Sequence, residues 1–244
     1  MQIIISPAKK MRSDDDTPGY QGLPFCLEKT AQIMEVMKSM SEKQLMSLYK
    51  CSPAIAHLNH ERLEHMDLKK SLIPAIFAYD GIQYQYMSSR VLTEDNYRYL
   101  QDHLYIVSGF YGLLRPFDGI TPYRLEMGTR LKVGQSKDLY AFWHDEINSR
   151  LEQSGGKVLV LASQEYAKAV DRDRFKAVTV SFMEMHKGKL MDKGTFSKMA
   201  RGMMVRYLAQ NEITDFEGVK GFTDADYSFD AGLSDDRSFV FVRR

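Results

Sequence analysis

Short apolar runs punctuate the chain at residues 3–6, 75–79, 104–108 and 157–162. They are apolar at consecutive rather than alternate positions, which fits strands buried on both faces of a partly parallel sheet. Between them, residues 27–40, 53–64, 94–103 and 138–151 carry apolar side chains three and four apart, the spacing of an amphipathic helix. Strand and helix alternate, which predicts an α/β architecture. The C-terminal third changes pattern. Residues 177–184 and 189–193 flank His186-Lys187-Gly188, which reads as a hairpin turn, and residues 226–230 and 238–243 alternate around Gly232. Both pairs are antiparallel signals, and residues 195–210 form a helix between them. The expected fold is one α/β (mixed α+β) domain over residues 1–244, a partly parallel mixed sheet with surrounding helices and a C-terminal antiparallel portion. No repeat or linker divides the chain, and the polar run at residues 12–22 reads as a loop.

Composition narrows the function. With 44% hydrophobic and 27% charged residues the 244-residue chain is globular, not disordered. Cys26 and Cys51 are too few and too far apart for a disulfide framework or a zinc site. No charged-then-apolar leader and no run of membrane-spanning length is visible, so a cytoplasmic location without a membrane partner is expected. A formal net charge of +1 leaves any basic surface local. Residues 187–206 hold six bases and one acid, and residues 211–237 hold eight acids and two bases. These are either two solvated faces or a positive face beside a negative one.

The candidate chemistry gathers where apolar strands end. Ser6 and Lys9 follow the first strand, at the edge where open α/β sheets bind ligands. Ser108, Tyr111 and Arg115 follow the strand at 104–108, among Gly109 and Gly112, and offer two hydroxyls and a planar cationic fork. The spacing there matches neither phosphate-binding glycine loop. Arg124 and Glu126 are two apart, so in extended chain they share a face, either as a structural ion pair or as the lining of a pocket. Glu165 and Tyr166 follow the strand at 157–162, where Ser163 can cap a helix. Together Ser6, Lys9, Ser108, Tyr111, Arg115 and Arg124 are candidate anion ligands, and Glu126, Glu165 and Lys9 are candidates for moving protons. Asp138 is expected to cap a helix whose Leu139–Trp143 aromatics belong to the core.

On a helical wheel of residues 195–210, Lys198, Arg201 and Arg206 share a side with Gly202 and Val205, opposite Phe196, Met199, Met203 and Tyr207. That face is either an ordinary amphipathic surface or a row of cations for a phosphate backbone. Lys220 follows in a Gly-Val-Lys-Gly turn that partly matches a helix–hairpin–helix module, although the chain after Gly221 reads as a strand. His57 and His60 are three apart on a polar helix, yet no third ligand stands at useful spacing. Asp14, Asp15 and Asp16 lack the alternation of a calcium loop. No metal site and no cofactor is therefore expected.

These motifs, in this order, resemble the YaaA family of bacterial peroxide-stress-response proteins. The likeness rests on ISPAK at 5–9, SGFYGLLRP at 108–116, PYRLEMGTRL at 122–131, KDLYAFW at 137–143, LASQEY at 161–166 and ARGMMVRY at 200–207. Position 164, often acidic in that family, is Gln164 here. The resemblance implies an unusual mixed α/β fold with a positively charged cleft, DNA binding, and a role in limiting unincorporated iron and oxidative damage to DNA and proteins. Two activities are thus expected to compete. One is DNA binding through Lys198, Arg201, Arg206 and Lys220, extended by Lys9, Arg115 and Arg124. The other is catalysis on a nucleotide or other anionic small molecule held by Lys9, Arg115 and Arg124.

Overall fold

The run Gln-Ile-Ile-Ile near the N-terminus has no polar face to offer water, and it forms an inner strand, β1 (Gln2–Ile5), buried at every position. A computed structural model describes residues 1–12 and 17–244; the middle of the 12–22 loop, with Asp14, Asp15 and Asp16, lies outside them. The other strands of the main sheet are β2 (Leu104–Ser108), β3 (Gly112–Leu114), β4 (Lys157–Leu161), β5 (Lys176–His186), β6 (Lys189–Met191), β7 (Tyr227–Phe229) and β8 (Ser238–Arg243). Their order is β7-β8-β5-β4-β1-β2-β3, with β6 against β5. Strand β1 lies parallel to both β2 and β4, with Ile3 opposite Leu104 and Leu159. Strands β4, β5 and β8 continue the parallel part. The mixed α/β class and the C-terminal antiparallel pairs are as expected. Lys187 and Gly188 both adopt positive φ, as the turn between β5 and β6 needs, and β7 pairs antiparallel with β8.

The main helices are α1 (Leu27–Lys38), α2 (Glu42–Tyr49), α3 (Pro53–Glu64), α4 (Ile82–Met87), α5 (Glu94–His103), α6 (Leu139–Gln153) and α7 (Gly194–Gln210). Helices α3 and α5 keep the boundaries that periodicity predicts. Asp138 caps α6, its side chain accepting from Ala141 N at 2.8 Å. Trp143 is fully buried and donates to the Gly109 carbonyl at 2.9 Å. Its ring lies so close to Gly112, at φ +77°, that a Cβ there would sit 2.7 Å from it. The core runs from Ile3 to Phe241 as one cluster.

Two expectations need correction. Residues 75–79 are not a strand: Ala75–Ala78 is one helical turn between two short β-pairs, Ile73–Pro74 with Gly119–Ile120 and Tyr79–Asp80 with Lys10–Met11. Ala75 and Ile76 donate to the carbonyls of Asp118 and Pro116, so crossing chain rather than a sheet satisfies their N–H groups. Helix α7 is not split into a basic and an apolar face. Gly202 and Val205, on the side assigned to cations, are buried together with Met203 and Leu208. Helix α4 lies against that side, so close that a Cβ at Gly202 would stand 2.2 Å from the Gln83 carbonyl oxygen.

Asp118 fastens the turn after β3. Its Oδ2 accepts from Arg115 N at 2.8 Å, and burial pushes its carboxyl up to about 6. A folded-state value raised above the unfolded one, about 3.9, gives stability that is full below pH ~4 and lost as pH rises through about 6. Asp118→Asn keeps an acceptor and removes the buried charge. We expect the variant to be more stable than the parent by roughly 2 kcal/mol at pH 7.5, a gap that closes near pH 4. Urea denaturation at both pH values measures it, and a gap independent of pH contradicts the assignment.

Candidate functional site

Parallel pairing brings the carboxyl ends of β1 and β4 side by side. Ser6 and Ser163 follow them and lock together: Ser6 Oγ accepts from Ser163 N at 2.8 Å, and the two hydroxyls are 3.4 Å apart. Lys9 and Glu165 are thereby delivered to one edge of the sheet.

The third contribution is a strap of irregular chain that crosses that edge. Tyr123, Leu125 and Met127 are buried while Arg124 and Glu126 between them face outward, the alternation of extended backbone. Beneath the strap, Ser108 Oγ accepts from Phe110 N at 3.1 Å and Tyr111 N at 2.9 Å. Both lone pairs are then occupied, so its own proton goes to Tyr123 Oη, 2.6 Å away. Tyr123 and Tyr79 hydroxyls are in turn 2.7 Å apart. Burial pushes the Tyr123 phenol up to about 12, so it stays protonated at neutral pH. Gly109 lets the strap come close, since a Cβ there would lie 2.7 Å from the Leu125 carbonyl.

At the centre, Glu126 Oε1 lies 3.0 Å from Lys9 Nζ and 3.2 Å from Arg124 Nη2. The Glu126 and Arg124 side chains are 13% and 15% exposed, Lys9 69%, so only the lysine end of this trio is free to move. Glu165 Oε1 accepts from Gly128 N at 2.7 Å. Lys9, Glu126 and Glu165 border two cavities at once. The outer lobe, about 790 Å³, adds Tyr49, Lys50, Arg124 and Arg130. The inner lobe, about 540 Å³, adds Ser6, Lys10, Asp80, Gln83, Tyr84, Ser163, Lys198 and Arg201.

Each lobe is lined by two residues that carry a buried donor with no acceptor among the described residues. In the outer lobe they are Tyr49 Oη and Arg124 Nε, and in the inner lobe Gln83 Nε2 and Arg201 Nε. Each such group costs about 1–3 kcal/mol unless something accepts from it. Burial, then the charge of Glu126, raises the Tyr49 phenol, keeping it a donor. Burial pulls the Arg201 guanidinium down from its ordinary value. The arrangement can hold oxygen-rich anionic groups on either side of a carboxylate. Among the described residues, no group of three or more His, Cys, Asp or Glu side chains can hold a metal ion; His57 instead pairs with Glu42 and Glu61.

A family model described as peroxide stress protein YaaA matches residues 1–233. The chain belongs to this family. It is 42% identical to a UPF0246 protein of Agathobacter rectalis, covering 100% of this chain and 99% of that one. A UPF0246 protein of Lachnoclostridium phytofermentans is 43% identical over 100% and 96%, and one of Limosilactobacillus reuteri 46% over 99% and 98%. The family places the chain in the response to peroxide stress. No helix among the described residues is long and apolar enough to cross a membrane.

Within this family member, Lys9, Arg124, Glu126 and Glu165 converge as the strand-end reading expects, and Ser6 reaches the wall of the inner lobe. Ser108 and Tyr111 do not. Both are fully buried, and the Tyr111 hydroxyl accepts from Thr121 N at 3.1 Å, so they support the strap from below and line neither lobe. Arg115 is outside the lining of either lobe, its backbone engaged by Asp118. Lys198 and Arg201 border the inner lobe, but Arg206 pairs with Asp224 at 3.4 Å. Lys220 pairs with Glu217 at 2.7 Å, over the rings of Phe229 and Phe239. The turn carrying Lys220 leads into strand β7, not a second long helix, and Gly221 in it packs against the Tyr207 hydroxyl, which a Cβ would meet at 2.7 Å.

Tyr49, Lys50 and Gln83 were missed, because they lie in segments where no motif stands out. One signal was available: Ser41 and Gln44 make the capping box that starts α2, the helix ending at Tyr49.

If Ser108 is a support, Ser108→Ala leaves two backbone donors and the Tyr123 hydroxyl short of a partner. We expect a loss of about 3 kcal/mol in stability, read by urea denaturation. A variant as stable as the parent would return Ser108 to the ligand-contacting group.

Proposed function

We propose that the chain protects cells under peroxide stress by binding nucleic acid along the two-lobed cleft, and that DNA is the partner. The observation carrying this reading is the charge of the lining. Lys9, Lys10, Lys50, Arg124, Arg130, Lys198 and Arg201 border the joined lobes, against Asp80, Glu126 and Glu165, in a chain whose formal net charge is only +1. Concentrated positive charge in a groove is what a phosphate backbone requires, and its affinity comes from counterion release. Limiting unincorporated iron belongs to the same proposed role. A strain lacking the protein should be sensitive to hydrogen peroxide and relieved by an iron chelator; indifference to peroxide would remove the cellular part of the reading.

Fluorescence anisotropy with labelled duplex and single-stranded oligonucleotides across a salt series tests the binding. Affinity should fall steeply with salt, and Lys198→Ala and Lys9→Ala should each lower the slope of log K against log salt by about 1. Absent or salt-independent binding sinks the proposal.

A second reading, catalysis on a nucleotide or other anionic small molecule, is favoured by Glu126, a mostly buried carboxylate between two cations where both lobes meet. Under that reading Glu126 moves a proton, and Glu126→Gln, which also leaves Arg124 without its carboxylate and lowers the melting temperature, abolishes turnover even in the protein that stays folded.

A further inference from the structure

We infer that the inner lobe is a pocket for one nucleotide, its base edge met by the Gln83 amide and its phosphate held by Arg201 and Lys198. The inference rests on the nucleic-acid reading of the cleft and deepens it.

A groove that tracks phosphates needs exposed cations and little else. The inner lobe instead carries apolar wall from Pro7, Ile82 and Tyr84. Tyr84 is buried, and its hydroxyl donates to the Ser6 carbonyl at 2.9 Å, so its ring is fixed in place. Set into this wall is Gln83, more than nine-tenths buried, with an Nε2 that donates to nothing among the described residues. A primary amide presents a donor and an acceptor side by side, the pair that matches the edge of a nucleobase. Arg201 Nε likewise has no acceptor among the described residues and lies on α7, beside the Gly202 contact that brings α7 against the Gln83 backbone. The amide and the guanidinium are therefore held by two helices in direct contact. Lys198, one turn earlier on α7, is exposed at the same lobe.

The lobe thus offers an apolar wall, an amide edge and two cations. One nucleotide supplies the matching set: a flat ring with acceptors on its edge, and a phosphate. The volume, about 540 Å³, falls within the range of small-molecule sites. Two sources share this chemistry, a free nucleotide and a nucleotide turned out of a nucleic-acid strand.

The test titrates AMP, GMP, CMP and TMP into the full-length protein by calorimetry. In parallel, oligonucleotides carrying one 2-aminopurine are followed by fluorescence, which rises when the base leaves its stack. Parent, Gln83→Leu and Lys198→Ala are compared. At least one monophosphate should bind, and Gln83→Leu should weaken it about tenfold or more while leaving the salt slope for oligonucleotides unchanged. Lys198→Ala should weaken the monophosphate as well. A fluorescence rise with the parent that Gln83→Leu abolishes supports an extruded nucleotide. Monophosphate binding without oligonucleotide binding supports the pocket with a free nucleotide as ligand and overturns the nucleic-acid reading. Oligonucleotide binding with no fluorescence rise and no monophosphate binding at millimolar concentration overturns the pocket and leaves that reading intact. Monophosphate affinity unchanged in Gln83→Leu also overturns the pocket. Should Gln83→Leu fail to fold, Arg201→Lys keeps the charge and loses the planar fork; its weaker monophosphate binding supports the inference, and unchanged binding overturns it.

Discussion

One hydroxyl holds the cleft in shape. Ser108 Oγ takes two backbone N–H groups and passes its own proton to Tyr123, so all its hydrogen-bonding capacity is spent inside the protein. That fixes Tyr123, and through the two-residue period of extended chain it fixes the direction of Arg124 and Glu126. Among the described residues the strap has no sheet partner to set its register. Buried Tyr123, Leu125 and Met127 do that work, anchored at Ser108 and closed down on Gly109. A slip of one residue would put the charged pair into the core, where an unpaired ion is far costlier than any arrangement at the surface.

This constraint explains why the site can carry unpaired donors. Tyr49, Arg124, Gln83 and Arg201 each leave a buried donor without an acceptor among the described residues. Groups of that kind persist only where the surrounding structure is over-determined. Here the serine lock between β1 and β4, the strap, and the contact of α4 with α7 at Gly202 supply the rigidity from three directions.

Much of this was legible in the sequence. The consecutive isoleucines of β1 and the spacing along α3 and α5 report one local environment each, and their elements appear where expected. The two-residue spacing of Arg124 and Glu126 correctly places them on one face. What could not be read is what depends on a neighbour far along the chain. The run at 75–79 has the composition of a strand, yet Asp118 and Pro116 take its N–H groups and turn it into a helical turn. The wheel of α7 assigns one buried face, but α4 covers a second, and no periodicity within α7 contains that fact. Ser108 and Tyr111 look like ligand hydroxyls because composition cannot separate a polar group aimed outward from one aimed inward.

A carboxylate at the centre of a cleft for polyanions needs a reason. Glu126 is nearly buried beside a nearly buried Arg124, and that pair stays together because separating it would leave a charge without a partner. Lys9 is different. It reaches the same carboxylate from solvent, and an ion pair that exposed is worth about 0–1 kcal/mol. A phosphate arriving between the lobes can therefore take Lys9 from Glu126 at little cost, while Arg124 goes on neutralising the carboxylate. The Lys9–Glu126 pair then acts as a placeholder: the carboxylate holds the lysine at the junction of the lobes until a stronger anion replaces it. The same reasoning explains an acid lying where repulsion would otherwise exclude one, since its charge is met within the protein before the ligand arrives.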